Sequence, residues 1–391
     1  MPAVRAGAAA PAPYPASRLI TGVRWSFSGA RPLRKANGSD IWPCTWALDD
    51  ALYCAFGDGG GFDGNDDHIG RVSLGFARVT GAPRLGDPAS YRGRNVWGAP
   101  PYAECRATFG GKIGSLIAVD GVLYGAGGLW THENARDPVA TNEAGTLLRL
   151  VWSSDLGRTW QVAPWEASED IGSFLQFGRD GQNAPGGYIY DYFVRPHDAT
   201  HVYLRRIPAN AMRRDPNASH ADQYLAFVSR TGDAVSWSPR KIDAVAVFTD
   251  PENMIGPAVV YDAGLGRYLM TIGHDPSGRV ADASPGQLGV FEAPHPWGPW
   301  RTIYYSDTWG RFPDSTRGDF LGLTFPSKWI SADGRTLWGV YSGPGGLDAF
   351  NLVRARLRAT GARAAHGAPE LLRCTSRLNA VNGSIFMHCG G

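Results

Sequence analysis

Apolar residues along this chain come in short runs, each trailing a tight acidic or glycine turn, and no sustained 3.6-residue apolar period develops. That pattern predicts strands throughout. One phrase returns five times: Asp49-Asp50-Ala51-Leu52-Tyr53, Asp120-Gly121-Val122-Leu123-Tyr124, Asp198-Ala199-Thr200-His201-Val202-Tyr203, Gly264-Leu265-Gly266-Arg267-Tyr268 and Asp333-Gly334-Arg335-Thr336-Leu337-Trp338. The aromatic anchors Tyr53, Tyr124, Tyr203, Tyr268 and Trp338 are spaced by 65–79 residues. A second strand-like run follows each anchor: Leu74–Val79, Leu147–Trp152, Tyr224–Ser229, Leu288–Glu292 and, sooner, Phe350–Leu357. Self-similarity at this period marks an array of equivalent units. Units of this length with several short strands are propeller blades. The expected fold is all-β, a five-bladed β-propeller of four-stranded antiparallel blades.

The innermost strands are expected at Ile41–Leu48, Ile113–Val119, Tyr188–Val194, Gly256–Tyr261 and Thr324–Ile330, each followed by the repeated turn. Asp and Gly suit that turn because they tolerate positive φ. Fourth strands are expected to open near Trp160, Trp237 and Trp300 in blades two to four. The fifth blade lacks one. The N-terminal strand Ile20–Phe27 is expected to fill that place and close the ring, hiding two sheet edges at once. The chain divides accordingly into an Ala/Pro-rich leader over 1–17, read as disordered, the propeller over 18–361, and a tail over 362–391 packed on its outside.

Composition sharpens this picture. The 391 residues include 51 Gly, 28 Pro and 14 Trp, in keeping with many short strands joined by turns. A net charge of +2 gives no reason to invoke nucleic acid. No run approaches the roughly 20 apolar residues of a membrane helix, so no membrane is expected. Nothing in the sequence calls for more than one copy, and a monomer is expected. Of five cysteines, Cys44 with Cys54 and Cys374 with Cys389 can form local bridges, leaving Cys105; five free buried thiols are the alternative. Bridges favour an extracellular or periplasmic home.

In a propeller, loops entering the innermost strands and loops leaving the second strands gather on one face around the axis. Residues so placed are Asp40, Lys112, Tyr188, Glu252 with Asn253, and Asp319 at entries. At exits lie Asp58 with the loop to His68, His132 with Glu133, Arg205 with Arg206, and His274 with Asp275. Such convergent loops are the default place for a site. Two chemistries fit. Glycosidic hydrolysis needs a carboxylic acid and a carboxylate, which Asp40, Asp58 and Glu252 can supply. β-Elimination beside a uronate needs a cation and a Tyr or His base: Lys112, Arg205, Tyr188, His68, His132 and His274. Each candidate also has a plain structural role open to it, as strand cap, turn residue or packed aromatic, and a propeller that only binds glycan or protein is a third reading. Neither chemistry requires a cofactor. The loop from Asp58 to His68 carries Asp58, Asp63, Asp66 and Asp67 and offers oxygens to calcium, but without EF-hand spacing. The Cys and His residues show no zinc spacing.

Ser153-Ser154-Asp155-Leu156-Gly157-Arg158-Thr159-Trp160 fits Ser-x-Asp-x-Gly-x-Thr-Trp at every fixed position and resembles the Asp-box of sialidase-like propellers, with a looser relative at Ser331–Trp338. Its carboxylate is expected to tie its own turn and its Trp to pack between blades, a structural role. Gly38-Ser39-Asp40-Ile41-Trp42-Pro43, Gly264–Leu269, Ala293–Trp300 and Phe325–Gly334 are similar to phrases of endo-D-arabinanase-like propellers and of lyases that cut beside glucuronate. The resemblance spans roughly Gly38 to Leu357. It implies a polysaccharide-cleaving enzyme, with Asp40 and Asp58 where arabinanase-like acids are expected, and hydrolysis ahead of elimination.

Overall fold

The computed structural model describes residues 11–27, 33–64, 70–100, 109–130, 147–163, 171–182, 184–195, 198–214, 225–231, 234–251, 253–275, 287–309, 322–342, 348–360, 373–378 and 385–390. They form the five antiparallel blades of a β-propeller. Two N-terminal strands, β1 (Ile20–Ser26) and β2 (Leu33–Lys35), precede the first blade. From the axis outward, blade one is β3 (Cys44–Trp46), β4 (Leu52–Gly59), β5 (Val72–Gly81) and β6 (Tyr91–Trp97). Blade two is β7 (Gly110–Val119), β8 (Val122–Trp130), β9 (Leu147–Ser153) and β10 (Gln161–Val162). Blade three starts with β11 (Ile171–Phe174), β12 (Tyr188–Arg195) and β13 (Asp198–Pro208). The outer edge of β13 is shared: Arg205 and Arg206 pair with β14 (Leu225–Thr231), itself paired to β15 (Ala234–Ser238), while His201–Tyr203 pair with β16 (Ala246–Thr249). Blade four is β17 (Asn253–Asp262), β18 (Arg267–Asp275), β19 (Leu288–Ala293) and β20 (Arg301–Ser306). Blade five is β21 (Leu323–Thr324), β22 (Thr336–Tyr341) and β23 (Phe350–Ala359), finished by β1.

The expected closure is therefore present, with Val23–Ser26 paired antiparallel to Leu357–Arg354; β2 adds to the same edge opposite Phe350–Leu352. Residues 11–17, the second half of the stretch read as a disordered leader, instead dock on blade four. Tyr14 packs against Phe248 and Phe291, Thr302 Oγ1 donates to the Tyr14 carbonyl, and the Ser17 hydroxyl donates to Glu292. Aromatic burial explains the docking: leaving Tyr14 in water would forgo its contact area. Residues 1–10 lie outside the described residues. In the C-terminal tail, β24 (Arg373–Leu378) and β25 (Ile385–Gly390) form a hairpin, and β25 runs beside β15.

Blade three departs from the expected assignment. Its innermost strand is the four-residue β11, so Tyr188–Val194 belongs to the second strand, and everything after it moves outward by one place. The repeated turn at Asp198 is consequently the hairpin between second and third strands, at the opposite end of the blade from its counterparts. Residues 175–187 run across that other end, where Gln176 bridges to Val260 and Arg179 donates to the Leu48 carbonyl.

The core fills the wedges between blades with aromatic and branched side chains. Phe350 sits among Trp42, Phe62, Tyr91 and Trp329 between blades five and one. Between blades one and two, Trp160 lies flat on Phe76 with centroids 3.8 Å apart. The octapeptide before it is tied as its composition requires. Asp155 Oδ1 accepts from Ser153 Oγ and from the Arg158 and Thr159 amides, and Gly157 takes φ 82°. Cys44 and Cys54 are disulfide-bonded, which settles them against the free-thiol alternative. Cys374 and Cys389 are backbone partners in the tail hairpin, and Cys105 lies outside the described residues.

Blades four and five meet over a buried carboxyl. Asp262 is fully buried and accepts from the Gly264 and Leu265 amides at 3.0 and 3.1 Å. Gly334 presses on it: a Cβ there would stand 2.2 Å from Asp262 Oδ1, and the residue's φ of 69° also excludes most side chains. Burial pushes the Asp262 pKa up to about 7, nearby Asp333 adds to the rise, and the two amides oppose it. A carboxyl whose folded pKa exceeds its unfolded value of about 3.9 stabilises the fold while protonated; that contribution is full below about pH 4 and is lost as pH rises through about 7. Thermal unfolding followed from pH 4 to 8 is expected to show a falling melting temperature, and Asp262→Asn is expected to flatten the fall. An unchanged slope in the variant would exclude Asp262 as its source.

Candidate active site

The entry loop of blade one and the exit of its second strand are held together by a short bridge. The Asp40 and Gly57 backbones exchange two hydrogen bonds of 2.8 Å, which brings Asp40 and Asp58 to one rim of the axial channel. Lys112, near the start of β7, reaches across from blade two. Its Nζ contacts Asp58 Oδ1, lies 3.9 Å from Asp40 Oδ1, and donates to the Ser73 carbonyl at 3.3 Å. Gly57 leaves the room for this meeting, since a Cβ there would stand 2.6 Å from Lys112 Nζ and 2.7 Å from Asp40 Oδ1. The strands below the two acids are locked by Cys44–Cys54, four positions from each.

The two carboxyls differ in environment. Asp40 is buried and its Oδ1 accepts no hydrogen bond. Burial pushes its pKa up to about 6; Asp58 and Asp348 raise it further, while Lys112 and Arg71 pull it down. Asp58 is half exposed, with φ 55°, and its charge is met by Lys112. The nearest oxygens of the two carboxyls can be no farther apart than the two Lys112 contacts laid end to end. That is toward the short end of the roughly 5–10 Å that glycosidase carboxyl pairs span. Beside Asp40 begins the channel, a cavity of about 320 Å³ whose wall is contributed by all five blades, through Trp42, Leu116, Phe174, Val259 and Phe325 among others. The wall is largely apolar, so the polar chemistry sits at its mouth.

Tyr188 and Arg205 are not brought to this rim. Tyr188 opens the second strand of blade three, paired with Pro208 at the end away from the Arg195–Asp198 hairpin, and its ring is covered by the Arg206 guanidinium at 3.9 Å. It belongs to the opposite face. Arg205 lies within the third strand and is ion-paired with buried Asp191 at 2.6 Å. Both displacements follow from the one-strand shift in blade three. His274 does end the second strand of blade four, but it is buried, stacked on Tyr305 with centroids 4.1 Å apart. Tyr305 donates in turn to Asp250 at 3.0 Å. Glu252, His68, His132 and Asp319 lie outside the described residues, as do Asp66 and Asp67. In the acidic loop Asp58 is met by Lys112 and Asp63 accepts the Asn95 amide, and no cluster of metal-ligating side chains occurs among the described residues.

Asp348 and Arg71 were not singled out from the sequence. Asp348 lies between the second and third strands of blade five, Asp58 at the end of the second strand of blade one, and the Asp348 carbonyl accepts the Gly38 amide at 2.6 Å. Applying the exit rule to the fifth blade would have found it.

No family model matches the chain, and no curated protein matches it. Among solved structures the chain is similar to a GH43_1 enzyme from Xanthomonas citri, at 11% identity and TM-score 0.46, covering 85% of this chain and 92% of that one. It is also similar to the alpha-L-arabinofuranosidase PaAbf62A from Podospora anserina, at 12% identity and TM-score 0.44, covering 88% and 99%. A third similarity is to a sialidase from Trypanosoma rangeli, at 13% identity and TM-score 0.42, covering 81% and 44%.

Proposed function

We propose that the protein is a polysaccharide-cleaving enzyme, a glycoside hydrolase acting on a furanose- or uronate-containing glycan. The observation that carries this reading is the unequal carboxyl pair at the channel mouth: buried Asp40, with a pKa near 6, and half-exposed Asp58, linked through one lysine. Pairs of carboxyls pushed apart in this way divide the work of acid and base. Asp40, protonated below about pH 6, gives its proton to the leaving glycosidic oxygen. Asp58 attacks the anomeric carbon, and Asp40, its proton given up, takes one from the water that then releases the sugar from Asp58. Lys112 keeps both acids in register. A water-mediated, inverting reaction would need a carboxyl at the wider spacing of about 6.5–9.5 Å, for which Glu252 is the sequence candidate. The Cys44–Cys54 bridge supports an extracellular or periplasmic home. No helix among the described residues is long and apolar enough to cross a membrane.

Incubation with a panel of arabinans, xylans and uronate polymers tests the reading. New reducing ends without the ultraviolet absorbance of an unsaturated uronate are expected. That absorbance would overturn hydrolysis in favour of elimination, and polymers bound but left intact would favour the non-catalytic reading.

A further inference from the structure

Blade five carries four arginines on one face of its outer strands. Arg354, Arg356 and Arg358 alternate along β23, and Arg24 of β1 is the direct cross-strand partner of Arg356. Arg358 stands beside them over Gly22, where a Cβ would come 2.9 Å from its Nη2. Arg24, Arg356 and Arg358 are exposed. None of the four is ion-paired among the described residues; Glu292 is paired with Arg267, and Asp333 is held in its own turn. Arg354 is partly buried. Its Nε is shut from solvent without a hydrogen-bond partner, and its Nη2 donates to Ser26 Oγ at 3.5 Å.

Like charges set directly opposite one another on a sheet destabilise it. Four together, in a chain whose net charge is only +2, are an unbalanced concentration of one sign. Burial lowers the Arg354 pKa, and the charges of Arg356 and Arg24 lower it further. Fixed guanidinium forks suit planar carboxylates, which they bind with two parallel hydrogen bonds. Alternate residues of a strand repeat at about 6.6–6.8 Å, so the row offers such forks at regular intervals.

We propose that this face, formed by Arg24, Arg354, Arg356 and Arg358, is a docking surface for a linear glycan bearing carboxylates, separate from the cleavage site. Separation follows from the strand: the Phe350 end of β23 packs on Trp42 beside Asp40, and the arginines occupy the other end. A row two strands wide on a nearly neutral chain fits one thin polymer, where duplex nucleic acid asks for a broad basic surface. The choice of a glycan rests on the hydrolase reading above.

Binding of fluorescent polygalacturonate to the full chain tests the proposal, with neutral dextran of similar length as control. The wild type is expected to bind polygalacturonate, more weakly as salt rises, and to leave dextran unbound. Arg24→Gln with Arg356→Gln is expected to weaken binding by about tenfold or more, the loss of one or two charge-assisted contacts. Because the substitutions relieve repulsion, the variant's melting temperature should equal or exceed the wild type's. Asp40→Asn should bind polygalacturonate as the wild type does. Equal binding by the double variant, equal binding of dextran, or capture of anionic lipid vesicles in place of polygalacturonate would each overturn the surface. Loss of cleavage on every polymer with binding intact would instead sink the hydrolase reading and leave the surface standing.

Discussion

Asp40→Asn is expected to lower turnover by about 10²–10⁴-fold while leaving the melting temperature near that of the wild type, because a positioned proton donor contributes on that scale. The amide fills the same space over Gly57 and keeps the backbone exchange with Gly57 intact. The pH profile carries a sharper test. Asp40 works while protonated, so activity should fall as pH rises through about 6. The Lys112 ammonium 3.9 Å away holds that pKa down; Lys112→Met should therefore move the alkaline limb to higher pH. A limb that stays in place, or moves down, would show that another group titrates. Tyr188→Phe should change little, since Tyr188 stands at the far end of blade three.

Trp160→Ala should cost roughly 3–5 kcal/mol of stability, the scale for emptying a buried aromatic site. The indole is 7% exposed, stacked face to face on Phe76, and donates to the Gly157 carbonyl at 3.0 Å. Its removal opens a void between blades one and two and releases the end of the Asp155 turn. Denaturant unfolding measures the loss, and KM for any cleaved polymer should remain unchanged. A variant of native stability but without activity would reverse the assignment and put this turn in the chemistry.

Much of the ring was legible because its turns repeat. Tyr53, Tyr124, Tyr268 and Trp338 all begin or nearly begin second strands, and the short fifth blade pointed to Ile20–Phe27 as its missing edge. Blade three was misread because β11 is only four residues long and has no repeated turn after it; the chain instead crosses the far face before β12. The Asp198 phrase has the same turn chemistry as its relatives, since local φ preferences do not register which end of a blade a hairpin occupies. That single shift misplaced Tyr188 and Arg205. Asp40, Asp58 and Lys112 lie together because entry and exit positions on neighbouring blades converge. What spacing does not convey is burial, which separates the two acids by environment and hides His274 behind Tyr305.

The ring is fastened by strands from opposite ends of the chain. Ser26 and Arg354, partners in the closing pair, stand 328 positions apart. During synthesis at about 5–20 residues per second, β1 spends tens of seconds with no partner yet made. Its hydrogen-bonding edge, and that of blade one's neighbour, stay open to stray pairing until the last blade emerges. Closure of this kind waits on the fifth blade: a ribosome that stalls within it leaves four finished blades and an open seam.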